Sequence, residues 1–381
     1  MKILITTDLF TVTTNGVVTS VRNLTEALRN RGHDVRILTL SEKYKSHREG
    51  DVYYIRSLPV AVYPGVRMSF ASHHSLIKEL IQWKPDVIHS QCEFFTFRFA
   101  RRIAKKTGAP IVHTYHTMYE QYVSYLIPGK KLGRWFVRTA ARHLLNKVNA
   151  IIVPTPKVED SLHGYQIKPP MEVIPSGISL EQFQLRLSPA ERIAKRASLG
   201  ITEDQTVLIS LGRLGYEKNL DELIRFFEQA VASHPELLLM IVGDGPAKSD
   251  LEKLAQEKQI SDKVIFTGMV PPAEVQNYYQ LGDVFVSAST SETQGLTYIE
   301  AAANALPLLC RRDPCLEGVV ITGENGYTYT ADNEFFDALD RILRDPQWIK
   351  TAGKRSEQIA ETFGKERFGE AVETLYTKLI K

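Results

Sequence analysis

The run Asp283-Val-Phe-Val-Ser-Ala-Ser289, continued by Ser291-Glu-Thr-Gln-Gly-Leu-Thr-Tyr-Ile-Glu300-Ala301, says more about this chain's architecture than any other segment. The first run reads as a short buried strand ending in small residues. The continuation from Thr297 to about residue 305 reads as the opening turns of a helix. Glu292 and Gly295 then fall in the loop at the strand's carboxyl end, and Glu300 falls inside the helix. In an open parallel sheet that crevice is where ligands bind, and free N–H groups at a helix start can hold an anion. Two carboxylates flanking an anion would repel it, so they must serve hydroxyl groups, which donate to them. A sugar and a ribose fit. A helix cap at Glu292 and a solvated Glu300 satisfy the same spacing.

Three upstream segments repeat the layout. Thr206-Val-Leu-Ile-Ser-Leu-Gly212 runs into a loop holding Arg213 and Lys218, before an amphipathic helix from Leu220. An arginine fork and a lysine point charge together suit a diphosphate. Leu237–Val242 leads to Gly243-Asp244-Gly245-Pro246, and Val264-Ile-Phe-Thr-Gly268 is another strand ending in glycine. Four such loops between residues 206 and 295 converge on one edge of one sheet.

The N-terminal half reads as a second doubly wound domain. Strands are predicted at 2–7, 35–40, 86–90, 110–113, 150–154 and 172–174, and Asn15-Gly16-Val-Val-Thr-Ser20 forms a glycine loop opening a helix. A lone Gly16 is not a G-x-G-x-x-G, so the dinucleotide fingerprint is missing. His113-Thr-Tyr-His116 follows a strand, where a histidine can serve a sugar hydroxyl or a phosphate, or simply the loop itself.

At 381 residues the chain exceeds what one core usually supports. Its 43% hydrophobic and 24% charged content is that of an ordinary globular protein. No apolar run reaches the roughly 18 residues that span a bilayer. The N-terminus reads as a strand rather than a signal peptide. Cys92, Cys310 and Cys315 lack metal-site spacing and suit reduced thiols in a cytoplasm.

The net charge of +3 hides an asymmetry. Residues 1–175 hold 25 Lys and Arg against 13 Asp and Glu, and the remainder holds 22 against 31. Such a split implies a polyanionic partner for the first half. Arg98, Arg101, Arg102, Lys105 and Lys106 recur on one helical face, and Lys131, Arg134, Arg138 and Arg142 form a second stripe with Trp135 and Phe136 beside it. No acidic residue lies between Glu120 and Glu159, and the apolar segment Tyr122–Pro128 adjoins the second stripe. This fits helices lying on an anionic membrane surface, or else solvated faces that keep the protein soluble. Nucleic acid is disfavoured, because the common RNA-module and zinc-finger patterns are missing.

With the two glutamates eight positions apart and the Arg213, Lys218 and Gly295 loops in place, nearly the whole chain resembles the retaining glycosyltransferases of the two-Rossmann-domain, GT-B type, family 4. The resemblance implies that Glu300 holds the ribose of a nucleotide sugar and Glu292 meets hydroxyls of the transferred sugar. Arg213 and Lys218 would neutralise the diphosphate, and Gln294, Gly295 and Leu296 would offer backbone N–H groups. Gly16, Gly212, Asp244 and Gly268 would line the donor site, with His116 against the donor sugar. The run from His116 to Pro128, with the Gly16 and Glu292–Glu300 segments, looks like the bacterial glucosyltransferases that act on diacylglycerol. Thr11-Val-Thr-Thr14 departs from that pattern in lacking a proline before Asn15-Gly16.

The resulting expectation is an α/β enzyme of two Rossmann-like domains: residues 1–175, a linker at 176–204, residues 205–360, and a helix at 361–381 returning to the first domain. It would move glucose from UDP-glucose to diacylglycerol, peripherally on the inner face of the cell membrane. A soluble transferase using a sugar or small metabolite is the alternative, and a non-catalytic nucleotide-sugar binder is a third reading. No Asp-x-Asp sits at a strand end, so neither metal nor cofactor is expected. No carboxylate pair reads as nucleophile plus acid in the glycosidase manner.

Overall fold

The structure, a computed structural model, describes residues 1–10, 16–60, 67–118 and 130–380. The chain divides into two compact units, Met1–Ile178 with Lys365–Lys381, and Ser179–Gly364.

The first unit is built on an eight-stranded sheet in the order β10-β9-β8-β7-β1-β2-β4-β3. Its strands are β1 (Lys2–Thr6), β2 (Asp34–Ser41), β3 (His47–Glu49), β4 (Val52–Arg56), β7 (Val87–Ser90), β8 (Ile111–Thr114), β9 (Ala150–Val153) and β10 (Met171–Val173). All pairings are parallel except β3 with β4. A separate two-stranded ribbon joins β5 (Leu58–Pro59) and β6 (Arg67–Met68). The central strands are apolar runs because helices cover both faces, and Ile3, Leu4 and Ile5 are all fully buried. Helices α1 (Gly16–Asn30), α2 (Ser75–Trp83), α3 (Phe95–Thr107), α4 (Lys130–Leu145) and α5 (Pro156–His163) supply that cover.

The second unit carries an all-parallel six-stranded sheet in the order β13-β12-β11-β14-β15-β16. These are β11 (Thr206–Leu211), β12 (Leu237–Val242), β13 (Val264–Gly268), β14 (Val284–Ser287), β15 (Leu308–Arg311) and β16 (Gly326–Tyr329). Its helices are α6 (Leu180–Gln184), α7 (Pro189–Ser198), α8 (Leu220–Ser233), α9 (Lys248–Glu257), α10 (Val275–Tyr279), α11 (Leu296–Ala303), α12 (Asp332–Arg344) and α13 (Pro346–Ala360). The stretch 176–204, expected as a connection, thus contains two helices. Ser188 and Glu191 form a capping box at the start of α7, and Arg192 and Arg196 of that helix pair with Asp283 at the foot of β14. Those charges fasten α7 to the second sheet.

The last helix, α14 (Lys365–Ile380), belongs to the first unit. Phe368, Val372, Leu375 and Tyr376 are buried with Val21, Leu24 and Leu28 of α1 and with Ile3 and Ile5 of β1. Four such side chains contribute about 6–12 kcal/mol of burial, comparable to the whole net stability of a domain.

Candidate active site

In the second sheet the strand order reverses between β11 and β14, which is the switch point where open α/β sheets leave a crevice. The loop after β11 ends in a single 3-10 turn, Tyr216–Lys218, and Asn219 follows in the left-handed region at φ 51°. The Asn219 side-chain amide donates to the Ala288 carbonyl at 3.2 Å, tying this loop to the end of β14. That tie delivers Lys218 Nζ to Glu292 Oε1 at 2.6 Å. The Ser289 hydroxyl donates to the same oxygen at 2.9 Å. Residues 74 positions apart therefore form one charged pair, both largely shielded from solvent.

Gly295 stands at the start of α11 with φ 75°. A Cβ there would also lie 2.3 Å from the Tyr298 ring, so only glycine fits without displacement. Gly295 has no side chain with which to cap this helix; the Tyr298 N–H donates to the Gly295 carbonyl at 3.0 Å, and N–H groups at such a helix start suit an anion. Gln294 is buried beside it, and Leu296 is the first helical residue.

Glu300 lies one turn into α11. The Tyr279 hydroxyl at the end of α10 donates to its Oε2 at 2.9 Å. Burial pushes the Glu300 carboxyl up to about 7, while the Tyr279 hydrogen bond pulls the other way. Sequence reading missed Tyr279. No local pattern marks it, because the contact joins two helices 21 positions apart.

Arg213 is ion-paired to Glu217 within its own loop, an arrangement the sequence did not reveal. Asp244 turns its carboxylate on the Gly245 N–H at 2.7 Å and its carbonyl on the Leu214 N–H at 2.9 Å, so it shapes the loop. Gly243 permits this close passage: its φ is 136°, and a Cβ would fall 1.9 Å from the Gly212 carbonyl oxygen. Gly268 closes β13 and accepts the Gly243 N–H at 3.1 Å. Gly212, Arg213, Lys218, Asp244, Gly268, Glu292, Gln294, Gly295, Leu296 and Glu300 thus all belong to this unit, at or beside its strands' carboxyl ends.

The first unit has its own switch point, between β1 and β7. The Asp8 carboxylate accepts the Thr96 N–H and hydroxyl at 2.7 and 2.6 Å and the Phe95 N–H at 3.2 Å. It anchors the first turn of α3. His116, just past β8, has Nε2 2.6 Å from Gln91 Oε1. That oxygen is an acceptor, so Nε2 holds the proton. Burial lowers the His116 ring to about 4, and His113 pushes it the same way against the pull of Glu93, so the ring is neutral at pH 7. His113 Nε2 lies 3.2 Å from Glu93 Oε1, and His89 is fully buried between the Tyr376 and Thr114 hydroxyls. Gly16 is the exposed first residue of α1. Residues 11–15 ahead of it and the segment Tyr122–Pro128 lie outside the described residues.

Helices α3 and α4 share one core cluster, through Phe97, Phe99, Ala100 and Ile103 from the first and Ala141 and Leu145 from the second. Arg98, Arg101, Lys105 and Lys106 are exposed, and Arg102 is half-buried. Trp135 and Phe136 are 62% and 61% exposed. Arg142 Nε donates to the Tyr165 carbonyl at 2.8 Å, and Arg138 lies over the Tyr165 ring. The side chains of Lys131 and Arg134 lie outside the described residues. Among the described residues no group of three or more His, Cys, Asp or Glu is placed to hold a metal, and no helix is long and apolar enough to cross a membrane.

Residues 14–182 match the family model for Glycosyltransferase Family 4, and residues 191–362 match that for Glycosyl transferases group 1. An alpha-monoglucosyldiacylglycerol synthase of Streptococcus pneumoniae is 34% identical over 370 residues, covering 96% of this chain and 84% of that protein. One from Acholeplasma laidlawii is 35% identical, covering 100% of this chain and 98% of that protein. A crystal structure of Anabaena HepE in complex with UDP-glucose is similar with a TM-score of 0.77 and 16% identity, over 99% of this chain and 100% of that one. That last likeness speaks for the fold, two Rossmann-like units of the GT-B type. Family models over both units and full-length identity above 30% agree: the chain is a glycosyltransferase belonging to Glycosyltransferase Family 4.

Proposed function

We propose that this enzyme transfers glucose from UDP-glucose to diacylglycerol with retention of anomeric configuration, acting peripherally on an anionic membrane at the inner face of the cell membrane. The observation that carries the reaction is the Lys218–Glu292 pair at the switch point, beside the glycine N-cap of α11. It sets a cation for a diphosphate next to a carboxylate for sugar hydroxyls. The lipid acceptor is supported by the two relatives named alpha-monoglucosyldiacylglycerol synthase. The membrane is supported by the basic stripes and the exposed Trp135 and Phe136.

In this reading the bond from the anomeric carbon to the diphosphate oxygen breaks, and the acceptor oxygen bonds to the same face of that carbon. The acceptor's proton passes to the leaving phosphate oxygen. Lys218, Arg213 and the first-turn N–H groups of α11 hold the charge that grows on the diphosphate, which is electrostatic catalysis by positioned groups. Arg213 has five N–H donors, enough to keep Glu217 while taking a phosphate oxygen. Neutral His116, whose Nε2 proton goes to Gln91, would meet a donor-sugar hydroxyl as an acceptor and does not act as an acid.

One observation favours the soluble alternative: Arg138 and Arg142 already engage Tyr165, so part of the second stripe serves the fold. The deciding experiment presents a panel of nucleotide sugars with diacylglycerol in anionic and in neutral vesicles. Glucosyl-diacylglycerol from UDP-glucose, faster on anionic vesicles, is expected. Transfer only to soluble acceptors would overturn the lipid reading.

A further inference from the structure

Tyr279 is fully buried, with its ring against Phe183 and Phe285 at 6.3 Å between centroids. Its hydroxyl has two acceptors, Glu300 Oε2 at 2.9 Å and, more weakly, the Thr297 carbonyl at 3.4 Å. Among the described residues no other group reaches the Glu300 carboxylate. Of the elements packed on α11, neither α6, α13 nor β15 brings a charged group to that carboxyl. Arg186 approaches the same helix only at its far end, at the Ala303 carbonyl and Asn304.

A carboxylate that accepts both hydroxyls of a ribose must be ionised and correctly turned, since a protonated acid gives up part of its acceptor capacity. We propose that Tyr279 is a positioning residue for the nucleotide: it occupies Oε2 of Glu300 and leaves Oε1 and the remaining lone pairs for the ribose hydroxyls. The proposal rests on the donor-site reading of Glu300 above. A hydrogen bond donated to the charged form favours that form. Removing it leaves burial unopposed and drives the carboxyl further toward protonation.

The test is the affinity for UDP-glucose, measured by calorimetry from pH 5.5 to 9 on the full chain. Its doubly esterified diphosphate does not titrate in this range. Wild type should weaken as pH falls through about 7, the region of the Glu300 titration. Tyr279→Phe keeps the ring packing and should bind like wild type at pH 9, with the weakening displaced upward by about one pH unit. Glu300→Gln should bind more weakly at pH 9 and show no such inflection. If Tyr279→Phe tracks wild type throughout, or loses the same factor at every pH, the tyrosine is merely structural and the proposal is overturned. If Glu300→Gln matches wild type in affinity and inflection, the donor-site reading itself falls.

Discussion

Ionising Glu300 in the folded protein is costly, because burial lifts its carboxyl from 4.5 to about 7. A raised acid stabilises the fold only while protonated, so the penalty begins as pH rises past 4.5 and is complete above 7. Glu300→Gln, which cannot ionise, should be more stable than wild type at neutral pH, by up to about 3 kcal/mol. The gain should vanish near pH 4. Urea unfolding at a series of pH values checks this, and a gain independent of pH would contradict it. Lys218 has the opposite relation to stability. Lys218→Ala takes the ammonium away from the Glu292 carboxylate and withdraws charge from the proposed diphosphate site, so turnover should drop by about 10²–10³-fold at saturating donor. Gly295→Ala meets both a positive φ and the Tyr298 ring, and should cost about 1–3 kcal/mol in thermal stability.

At the level of elements, α4 offers a cleaner membrane test than its arginines. Replacing the stripe Lys131, Arg134, Arg138 and Arg142 would also cut the Arg142 bond to Tyr165. Trp135 and Phe136 are mostly exposed, so Trp135→Ser with Phe136→Ser should leave the fold and donor hydrolysis intact. Pelleting with anionic vesicles should fall, and unchanged pelleting would remove α4 from the docking surface. Strands such as Leu237–Val242 were readable from sequence, because an unbroken apolar run buried on both faces has few other places to go. His47–Glu49 was not, since a polar edge strand shows no apolar signal, and neither were Val52–Arg56, Leu308–Arg311 and Gly326–Tyr329. The same limit governs the site. Residue types at strand ends could be read, as with Arg213, Lys218 and the two glutamates. The pairing of Lys218 with Glu292 and the Tyr279 bond depend on side-chain reach between distant segments, which no spacing encodes, and the turn of Arg213 onto Glu217 depends on the conformation of their shared loop.

Across the whole molecule, the excess of basic residues before position 175 and of acidic ones after it predicts a salt-sensitive attachment. Binding to anionic vesicles should fall steadily as added salt shortens the Debye length to about 8 Å at physiological strength. Transfer to a soluble acceptor, if one is found, should barely respond. Metal dependence is a second test at this scale. If Arg213 and Lys218 meet the diphosphate as proposed, activity should survive excess EDTA, and a loss restored by Mg²⁺ or Mn²⁺ would overturn that assignment.

The membership of α14 in the first unit has a temporal consequence. A ribosome must make residues 179–364 before it reaches that helix, on the order of tens of seconds at ordinary elongation rates. Through that interval the nascent first unit holds Val21, Leu24 and Leu28 without Phe368, Val372 and Tyr376 to cover them. His89 likewise waits for the Tyr376 hydroxyl. The half synthesised first is therefore the half completed last, and chaperones have a defined apolar face to hold until the closing helix emerges.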